Sequence, residues 1–351
     1  MTSTQHDFER NIEFEFVRAT ENAALNSIHW MGRGDKEAAD AAACDAIYGV
    51  FDQVDIRGEV VIGEGIKDNA PGIFLGEKLG KWSEGAPRFD IALDPIDGTS
   101  NIGKGLPNSI SVMSGVYVPE GRTRSMVNIA SFYVEKISYG PQVAEAIRKN
   151  DLAPIRLDAP FHRSLVVAAT ALKKRISDLV VVILDRPRNQ TYIDTVRAEG
   201  ASLRLIADGD IAAAVAPSLP DSGVDLYAGI GGAPEGILTA AALKALGGEI
   251  QLRMWPRDDA ERAELLKTHT VSDLQRVYYT DSLVEGDSAI FCATGISDSA
   301  LLPGVKLVGN TATTHSILMR ARSRTVRYIR AVHNLSAKTI HLRSVTGERN
   351  I

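Results

Sequence analysis

The sequence predicts an α/β protein in two parts, an α+β part followed by a part that is built from βαβ units. Two observations favour this assignment. Strand-length apolar runs alternate with helix-length amphipathic segments along the 351 residues. After about residue 165 the order strand, helix, strand recurs, which is typical of a parallel or mixed sheet with helices on its faces. The boundary is predicted near residue 160, beside Pro154 and Pro160, so the parts span 1–160 and 161–351.

The first part begins with helices and continues with strands. The segment IEFEFVRATENAALNSIHWM is amphipathic and predicts a helix that is broken at Gly32-Arg33-Gly34. An Ala-rich helix is predicted from about Lys36 to Gln53. The runs EVVIGEG and FDIALDPIDG each predict a strand that ends in glycine and acidic residues. Further strands are predicted for NSISVMSGVYV and ASFYVEKISYG, which gives an antiparallel or mixed sheet.

The second part alternates strands and helices. SDLVVVILDRPR predicts a strand with a basic tip, NQTYIDTVRAEG a helix that ends at Gly200, and ASLRLIADGD a strand with an acidic tip. VDLYAGIGGAPEGILTAAALKALGG predicts a strand, a glycine-rich turn and a helix. Near the C-terminus, Arg320, Arg322 and Arg324 recur at period two and predict one strand face of arginines. That face would be a charged edge strand, or a contact for a subunit or an anionic effector.

Composition and charge exclude several classes of protein. The formal net charge is −5, so a general nucleic-acid binder is not expected. The N-terminus lacks the apolar stretch of a signal peptide, and no run approaches the ~18 apolar residues of a membrane span. Cys44 and Cys292 are too few for a disulfide framework and are expected to be small buried hydrophobes in a reducing compartment. We therefore expect a cytoplasmic protein without nucleic-acid or membrane partners.

Acidic residues predominate at the predicted strand tips, where the ligands of α/β sheets collect. Crowded carboxylates repel one another unless a cation compensates them. Mg²⁺ and Mn²⁺ prefer oxygen ligands, and no cysteine or histidine cluster accompanies these acids. The pattern therefore predicts a site for Mg²⁺ or Mn²⁺ rather than a structural zinc site.

The string Asp94-Pro-Ile-Asp-Gly-Thr99 gives the strongest single indication of chemistry. With Pro95 fixing a turn, Asp94 and Asp97 can converge on one metal ion or bridge two. Gly98 leaves room for an oxyanion beside the backbone N–H groups, and the hydroxyl of Thr99 can orient a water. The alternative is an ordinary proline–aspartate–glycine turn that ends a strand.

Five further residues are candidates whose spacing alone also fits an ordinary structural role. Glu64 lies between glycines in VIGEGIKD, and Asp68 could act as a base towards the attacking water. Lys36 and Asp40 share one helix face, as a surface ion pair would. Glu235 lies in the first turn of a predicted helix, where an acid is common.

Taken together, these strings resemble one family, the class II fructose-1,6-bisphosphatases, which includes bifunctional enzymes that also hydrolyse sedoheptulose-1,7-bisphosphate. The resemblance extends from about residue 12 to about 333 and rests on WMGRGDKEAAD, VIGEG with a following Asp, DPIDGT, PDSGVDLYAGIGGAPEG, FCATGI and GNTATT. DPIDGT alone is shared with inositol monophosphatases. Those proteins usually have an aromatic residue soon after the turn and a later Trp-Asp-x-Ala-Ala-Gly string, where this chain has Ile102 and GGAPEG.

The resemblance implies a layered α-β-α-β-α sugar-phosphatase fold with two sheets. It implies metal-dependent hydrolysis of the 1-phosphate of a ketose bisphosphate, in gluconeogenesis or the Calvin cycle, by a homo-oligomer (a tetramer or dimer). The implied metal ligands are Asp40, Glu64, Asp94, Asp97 and Glu235. The implied sugar-phosphate contacts are Asp97, Gly98, Thr99, Tyr133, Arg186, Pro187, Arg188, Asp208, Gly209, Asp210 and Gly232. The first part would then be the metal-binding catalytic domain, and the second, with its basic C-terminal segment, would bind the sugar phosphate.

Within this scheme the catalytic residues are Asp68 and Thr99, which activate the water, and Lys36, which supplies positive charge near the site. The arginines of the Arg186-Pro187-Arg188 run hold the distal phosphate, because a guanidinium forms charge-assisted forks with phosphate. Asp208 and Asp210 bind sugar hydroxyls.

The chain departs from the family pattern at two positions. The family usually has Glu where Asp97 stands, and the shorter side chain draws that carboxylate back towards the turn. The family often has Lys where Arg186 stands, and arginine binds phosphate as a planar fork rather than a point charge. Three other functions stay open, of which a nucleic-acid-binding role for the arginine-rich tail is disfavoured by the acidic balance of the chain. An inositol monophosphatase-like enzyme would not need arginines for a second phosphate, and a non-catalytic sugar-phosphate sensor would not need a water-activating pair.

Overall fold

The structure is a computed structural model, and it describes residues 7–63, 73–344 and 348–350. The chain divides into two compact units, the first formed by residues 1–126 together with 286–351 and the second by residues 127–285. Within the described residues the first unit contains an eight-stranded sheet and the second a six-stranded sheet. The predicted mixed α/β class with two large sheets is confirmed.

The chain up to residue 126 supplies two long helices and half of the first sheet. Its elements are α1 (Phe8–Ser27), α2 (Lys36–Phe51), β1 (Arg57–Ile62), β2 (Lys78–Leu79), β3 (Arg88–Asp97), α3 (Thr99–Lys104) and β4 (Ile110–Tyr117). Asp7 and Asp35 cap the two long helices by accepting hydrogen bonds from backbone N–H groups three residues on. Gly32 and Gly34, both at positive φ, separate the helices where the sequence predicted a break.

The second unit alternates strands and helices as the sequence predicted. Its elements are β5 (Tyr133–Tyr139), α4 (Pro141–Arg148), α5 (Phe161–Leu172), β6 (Val180–Leu184), α6 (Gln190–Ala198), β7 (Ser202–Ile206), α7 (Asp210–Val215), β8 (Leu226–Gly232), α8 (Ala233–Leu246), β9 (Glu249–Met254), α9 (Asp259–Leu265), α10 (Val271–Gln275), β10 (Val277–Tyr279) and α11 (Thr280–Leu283). The strand order is β10-β9-β5-β8-β6-β7, with β6 parallel to both β7 and β8.

The chain then returns to the first sheet. The last strands are β11 (Ala289–Gly295), β12 (Lys306–Val308), β13 (Thr311–Arg320), β14 (Thr325–Asn334), β15 (Thr339–His341) and β16 (Glu348–Asn350). β11 lies between β4 and β13 and is antiparallel to both. The division therefore differs from the predicted boundary at residue 160, which falls inside the second unit. Local sequence patterns do not reveal that β11 pairs with a strand made more than a hundred residues earlier.

The C-terminal arginines do not share a strand face. β13 ends at Arg320, and Arg322 and Arg324 lie in the turn before β14, with Arg324 at φ 48°. The Arg320 side chain is buried against α1, 2.5 Å from Asp7 and 3.1 Å from Glu13. The prediction of an all-arginine strand face is wrong, because a tight turn interrupts the period-two spacing.

Both cysteines are buried and form no disulfide, as expected. Cys44 and Cys292 belong to the apolar core of the first unit, in which α1 and α2 cover the eight-stranded sheet. Among the described residues, no helix combines the length and the apolar character that a membrane crossing requires.

Residues 339–344, here called the C-terminal strap, lie against α2. A Cβ on Gly49 would come within 1.9 Å of the carbonyl oxygen of His341, so the strap and the helix approach backbone to backbone. Arg343 donates two hydrogen bonds to Asp52 at 3.0 and 2.5 Å, and its guanidinium stacks 3.7 Å over the ring of Tyr48. The strap therefore packs on the C-terminal end of α2, the helix whose first half carries Lys36 and Asp40.

Candidate functional site

A bulge near the end of β3 decides how Asp94 and Asp97 are presented. Side chains three residues apart in a regular strand point to opposite faces of the sheet. Here the pairing with β4 shifts, since Asp94 lies opposite Val112 and Asp97 opposite Ile110. Three residue steps on β3 therefore match two on β4, so β3 contains one extra residue, a bulge. With this extra residue, Asp94 and Asp97 fall on the same face of the sheet. The strand is irregular between the two acids, because the pairing shifts there and Oδ1 of Asp94 accepts a hydrogen bond of 3.0 Å from the backbone N–H of Ile96.

The strand ends in a left-handed glycine. Gly98 has φ 93° and ψ 38°, and it caps the short helix α3, whose first residue is Thr99. A Cβ on Gly98 would meet the backbone oxygen of Asn108 at 2.5 Å. Asp97 is buried, while Asp94 and Thr99 are partly exposed. The turn therefore presents one buried and one accessible carboxylate beside an accessible hydroxyl.

The start of α2 is bonded to α3. Backbone N–H groups of Gly32 and Gly34 donate to the carbonyls of Ile102 and Gly103 at 2.8 and 2.9 Å. Lys36 begins α2 with an exposed side chain 3.8 Å from Glu37, and Asp40 is buried one turn later. The GRGD segment thus holds the helix that carries Lys36 and Asp40 against the helix that follows the DPIDGT turn.

Two predicted residues, Glu64 and Asp68, lie outside the described residues. Across the ranges that are described, no three His, Cys, Asp or Glu side chains are grouped closely enough to hold a metal ion. The donor chemistry of the candidate ligands in the first unit nevertheless fits a hard divalent cation, because Asp40, Asp94 and Asp97 offer only carboxylate oxygens.

A third acid on β3 has a structural role. Asp90 is fully buried, and its Oδ2 accepts a hydrogen bond of 3.0 Å from the backbone N–H of Met126. Burial raises the pKa of the Asp90 carboxyl above its ordinary value. Asp90 thus anchors the loop after β4. It has this structural role, unlike Asp94 and Asp97 at the strand end, which are candidate metal ligands.

In the second unit the predicted sugar-phosphate residues collect at one edge of the six-stranded sheet. β6, β7 and β8 are parallel, so the residues that follow them emerge at the same edge. β5 is antiparallel to β8 and places Tyr133 opposite Gly232. The residues at this edge are Tyr133, Arg186, Pro187, Arg188, Asp208, Gly209, Asp210, Gly232 and, in the first turn of α8, Glu235.

Arg188 is held in place by two contacts. Its guanidinium carbon lies 4.2 Å from the centre of the Tyr133 ring, and its Nε donates to the carbonyl of Ile230 at 3.1 Å. Arg186 stands in extended backbone just after β6 and donates to the carbonyl of Asp185 at 3.1 Å. Both side chains are partly exposed, so each can offer further N–H groups to an anion.

Gly232 is required by the position of Glu235. A Cβ on Gly232 would lie 1.9 Å from Oε2 of Glu235, so the carboxylate folds back over the glycine at the tip of β8. Pro234 lies in the first turn of α8 and Gly247 ends the helix in a left-handed conformation, as the sequence predicted. Glu235 offers carboxylate oxygens, the type of ligand that Mg²⁺ and Mn²⁺ prefer.

Two polar residues at this edge were not predicted from the sequence. Asn189 is fully buried, and its side-chain oxygen accepts from the N–H of Ile230 at 2.6 Å. Lys136 is almost fully buried, 2.7 Å from Asp210. A polar residue directly after Arg188 could have indicated the first. The lysine in the apolar half of ASFYVEKISYG could have indicated the second, because a lysine is rarely buried without a partner.

Comparison with known proteins finds relatives that match almost the whole chain, including every candidate site residue. A protein-family model described as bacterial fructose-1,6-bisphosphatase, glpX-encoded, matches residues 10–333. The class 2 fructose-1,6-bisphosphatase of Haemophilus influenzae is 39% identical over 337 residues, which cover 93% of this chain and 97% of that protein. Fructose-1,6-bisphosphatase 1 class 2 of Escherichia coli K12 is 37% identical over 340 residues, with 94% and 97% covered.

Proposed function

The chain belongs to the family of bacterial, glpX-encoded fructose-1,6-bisphosphatases, and on this premise we propose that it hydrolyses the 1-phosphate of fructose-1,6-bisphosphate. The observation that carries the proposal is the family match over residues 10–333, because that range contains all the candidate residues of both units. The enzyme is accordingly a phosphoric monoester hydrolase of carbohydrate metabolism.

Asp40, Glu64, Asp94, Asp97 and Glu235 would hold Mg²⁺ or Mn²⁺. When bound, such a cation supplies Lewis-acid polarisation of phosphoryl oxygens and makes a neighbouring water more acidic. The bulge that puts Asp94 and Asp97 on one side of β3 supports the assignment. So does the folded-back carboxylate of Glu235.

Asp68 and Thr99 would orient the attacking water, and Asp68 would accept its proton. Thr99 suits this role because it is the first residue after the left-handed Gly98 and its side chain is partly exposed. Lys36, exposed at the start of α2, would contribute positive charge. By accepting the proton and orienting the water, Asp68 and Thr99 would make its oxygen a better nucleophile towards phosphorus.

The basic and acidic residues at the edge of the second sheet would bind the rest of the substrate. Arg186 and Arg188 would hold the distal phosphate, since each guanidinium can donate two parallel hydrogen bonds. Asp208 and Asp210 would accept hydrogen bonds from sugar hydroxyls. A seven-carbon substrate presents the same groups, so we extend the proposal to sedoheptulose-1,7-bisphosphate. We also propose a homo-oligomer, a dimer or tetramer, which light scattering of the purified protein would test.

The substrate proposal is tested by phosphate release from sugar bisphosphates and monophosphates, each assayed with Mg²⁺ and with Mn²⁺. We expect release from fructose-1,6-bisphosphate that stops when the metal is chelated and resumes when it is restored. Activity confined to monophosphates would favour an inositol monophosphatase-like enzyme. Binding of the sugar bisphosphate without any phosphate release would favour a sensor.

A pair of variants sharpens this test. Arg188→Met should raise KM for the bisphosphate about tenfold or more, because a hydrogen bond to a charged group is lost, and should change monophosphate turnover little. Arg175→Met is the matched control, since Arg175 makes an exposed pair with Asp178 in the same unit. An equal rise of KM in both variants would contradict the assigned phosphate contact.

The water-activating pair is tested separately. Thr99→Ala and Asp68→Ala should lower kcat strongly while the affinity for metal and substrate changes little. Thr99→Ser retains the hydroxyl and should restore most of the turnover. Near-wild-type kcat in both alanine variants would exclude this pair.

A further inference from the structure

A buried ion pair joins two of the proposed substrate contacts. Lys136 lies on β5 with its side chain 1% exposed, and its Nζ is 2.7 Å from Oδ2 of Asp210, whose side chain is 5% exposed. The same Nζ donates to the carbonyl of Gly232 at 3.0 Å. One ammonium group therefore connects β5, the first residue of α7 and the last residue of β8.

The surroundings leave this pair little freedom. The hydroxyl of Tyr227 also donates to Oδ2 of Asp210, at 2.9 Å, so two donors fix the same carboxylate oxygen. A Cβ on Gly231 would lie 2.4 Å from that oxygen and 2.7 Å from Cε of Lys136. The absence of a side chain at Gly231 is what gives the lysine its place beside the strand.

Because Asp210 is buried, its carboxylate depends on Lys136 as a partner. A buried carboxylate that loses a charged hydrogen-bond donor becomes less well satisfied and tends to move towards solvent. Without Lys136, the Asp210 carboxylate would keep only the Tyr227 hydroxyl of its two donors and would no longer be held at the sheet edge. Loss of the second hydrogen bond would also release the carbonyl of Gly232, next to the turn that carries Glu235.

We infer that Lys136 is a positioning residue for substrate binding, which holds the Asp210 carboxylate oriented towards a sugar hydroxyl and fixes the backbone at Gly232. The inference rests on the proposed function. It assigns Lys136 no contact with the substrate, so its effect should appear mainly in KM.

The test compares Lys136→Met with Lys174→Met in phosphate-release assays on the full-length protein. Lys174 also lies 2.7 Å from an aspartate, Asp225, but that residue precedes β8, at the opposite end of the strand from Gly232. We expect Lys136→Met to raise KM for fructose-1,6-bisphosphate about tenfold to a hundredfold with a smaller effect on kcat. Lys174→Met should leave KM unchanged.

Thermal unfolding of the same variants separates positioning from simple stabilisation. An unchanged KM in Lys136→Met would overturn the inference, even if the variant melts at a lower temperature. Should that variant fail to fold, Lys136→Met/Asp210→Asn removes both charges and is compared with Asp210→Asn alone. Positioning through Asp210 predicts that KM of the double variant exceeds that of Asp210→Asn by about tenfold at most, which is the effect of losing the hydrogen bond from Lys136 to Gly232.

A large additional rise of KM in the double variant would overturn the inference. The two proposals fail in different ways. Wild-type protein that releases no phosphate from fructose-1,6-bisphosphate would overturn the proposed function. An active wild type with an unaffected Lys136→Met would overturn only the positioning role.

Discussion

The two units each end a central strand in a glycine that leads directly into a helix, yet the two glycines meet different physical requirements. Gly98, between β3 and α3, has φ 93°, and backbone occupies the space where a Cβ would lie. Gly232, between β8 and α8, has φ −62°, which any residue adopts, and only the end of the Glu235 side chain fills its space.

The difference separates a glycine that the fold needs from one that the site needs. A side chain at Gly98 would strain the backbone and push on another backbone segment, neither of which can yield cheaply. A side chain at Gly232 would displace a flexible carboxylate and leave the strand and helix intact. The candidate ligands follow the same division. In the first unit the acids precede the glycine, whereas in the second unit Glu235 follows it.

The largest effect is expected for Gly98→Ala. Left-handed strain and the 2.5 Å approach to the Asn108 oxygen should together lower the free energy of unfolding by about 3 kcal/mol. Chemical denaturation measures it. Gly121→Ala is the control, because Gly121 also has positive φ but open space around it, and about 1 kcal/mol is expected there. Equal losses of unfolding free energy in both variants would show that the close approach to the Asn108 oxygen does not contribute.

Gly232→Ala should change the metal dependence of activity while leaving stability almost unchanged. The unfolding free energy should change by less than about 1 kcal/mol, since the backbone conformation is ordinary. The metal concentration for half-maximal activity should rise about tenfold, because Glu235 is displaced. Unfolding and metal titration of the same preparation measure both. If Gly232→Ala is as unstable as Gly98→Ala and its metal dependence is unchanged, then Gly232 is needed for the fold rather than for the site.

A buried acid outside both turns should govern part of the pH dependence of stability. Burial raises the pKa of Glu9 from 4.5 to about 7, although Arg322 lies 3.2 Å away and Arg320, Asp7 and Asp287 are in the same cluster. Because the folded state holds this proton more tightly, its stabilising contribution is complete below about pH 4.5 and is lost as pH rises towards 7.

Glu9→Gln should remove that dependence, so the variant gains stability relative to wild type between pH 4.5 and 7. Unfolding at a series of pH values measures the difference. Glu145→Gln is the control, because Glu145 is an exposed acid in an i, i+4 pair with Lys149. A constant difference between Glu9→Gln and wild type across this window would contradict the role of Glu9.

The smallest effect is expected at the C-terminal strap. Arg343→Ala removes an exposed ion pair with Asp52 and the stacking on Tyr48, and should lower the free energy of unfolding by about 1 kcal/mol or less. Kinetic constants should stay at wild-type values. A large loss of turnover would instead connect the strap to the site through α2.

Local patterns predicted the elements well, because each depends on residues close in sequence. The break at Gly32 and Gly34, the strand before Asp94 and the glycine end of α8 all follow from backbone preference and apolar spacing. The family resemblance of the chain is likewise confirmed.

Features that depend on distant partners were not predicted. The bulge in β3 is visible only against β4, and the return of β11 to the first sheet only in three dimensions. The burial of Lys136 depends on Asp210 and on the space at Gly231. The turn after Arg320 was not predicted, because arginines at every second position are also the pattern of one strand face. The ligand and substrate roles remain proposals, and two of their residues, Glu64 and Asp68, lie outside the described residues.

The interrupted first unit also imposes an order on assembly during translation. The second unit is continuous and is completely synthesised by residue 285, whereas β4 lacks its neighbour β11 until residues 289–295 are made. At an elongation rate of about 5–20 residues per second that delay is roughly 9–35 s. During that time the apolar strand β4 is the open edge of an unfinished sheet and can pair with another nascent chain. Chains that are truncated and released just after residue 285 should therefore aggregate, even though every residue of the second unit is present.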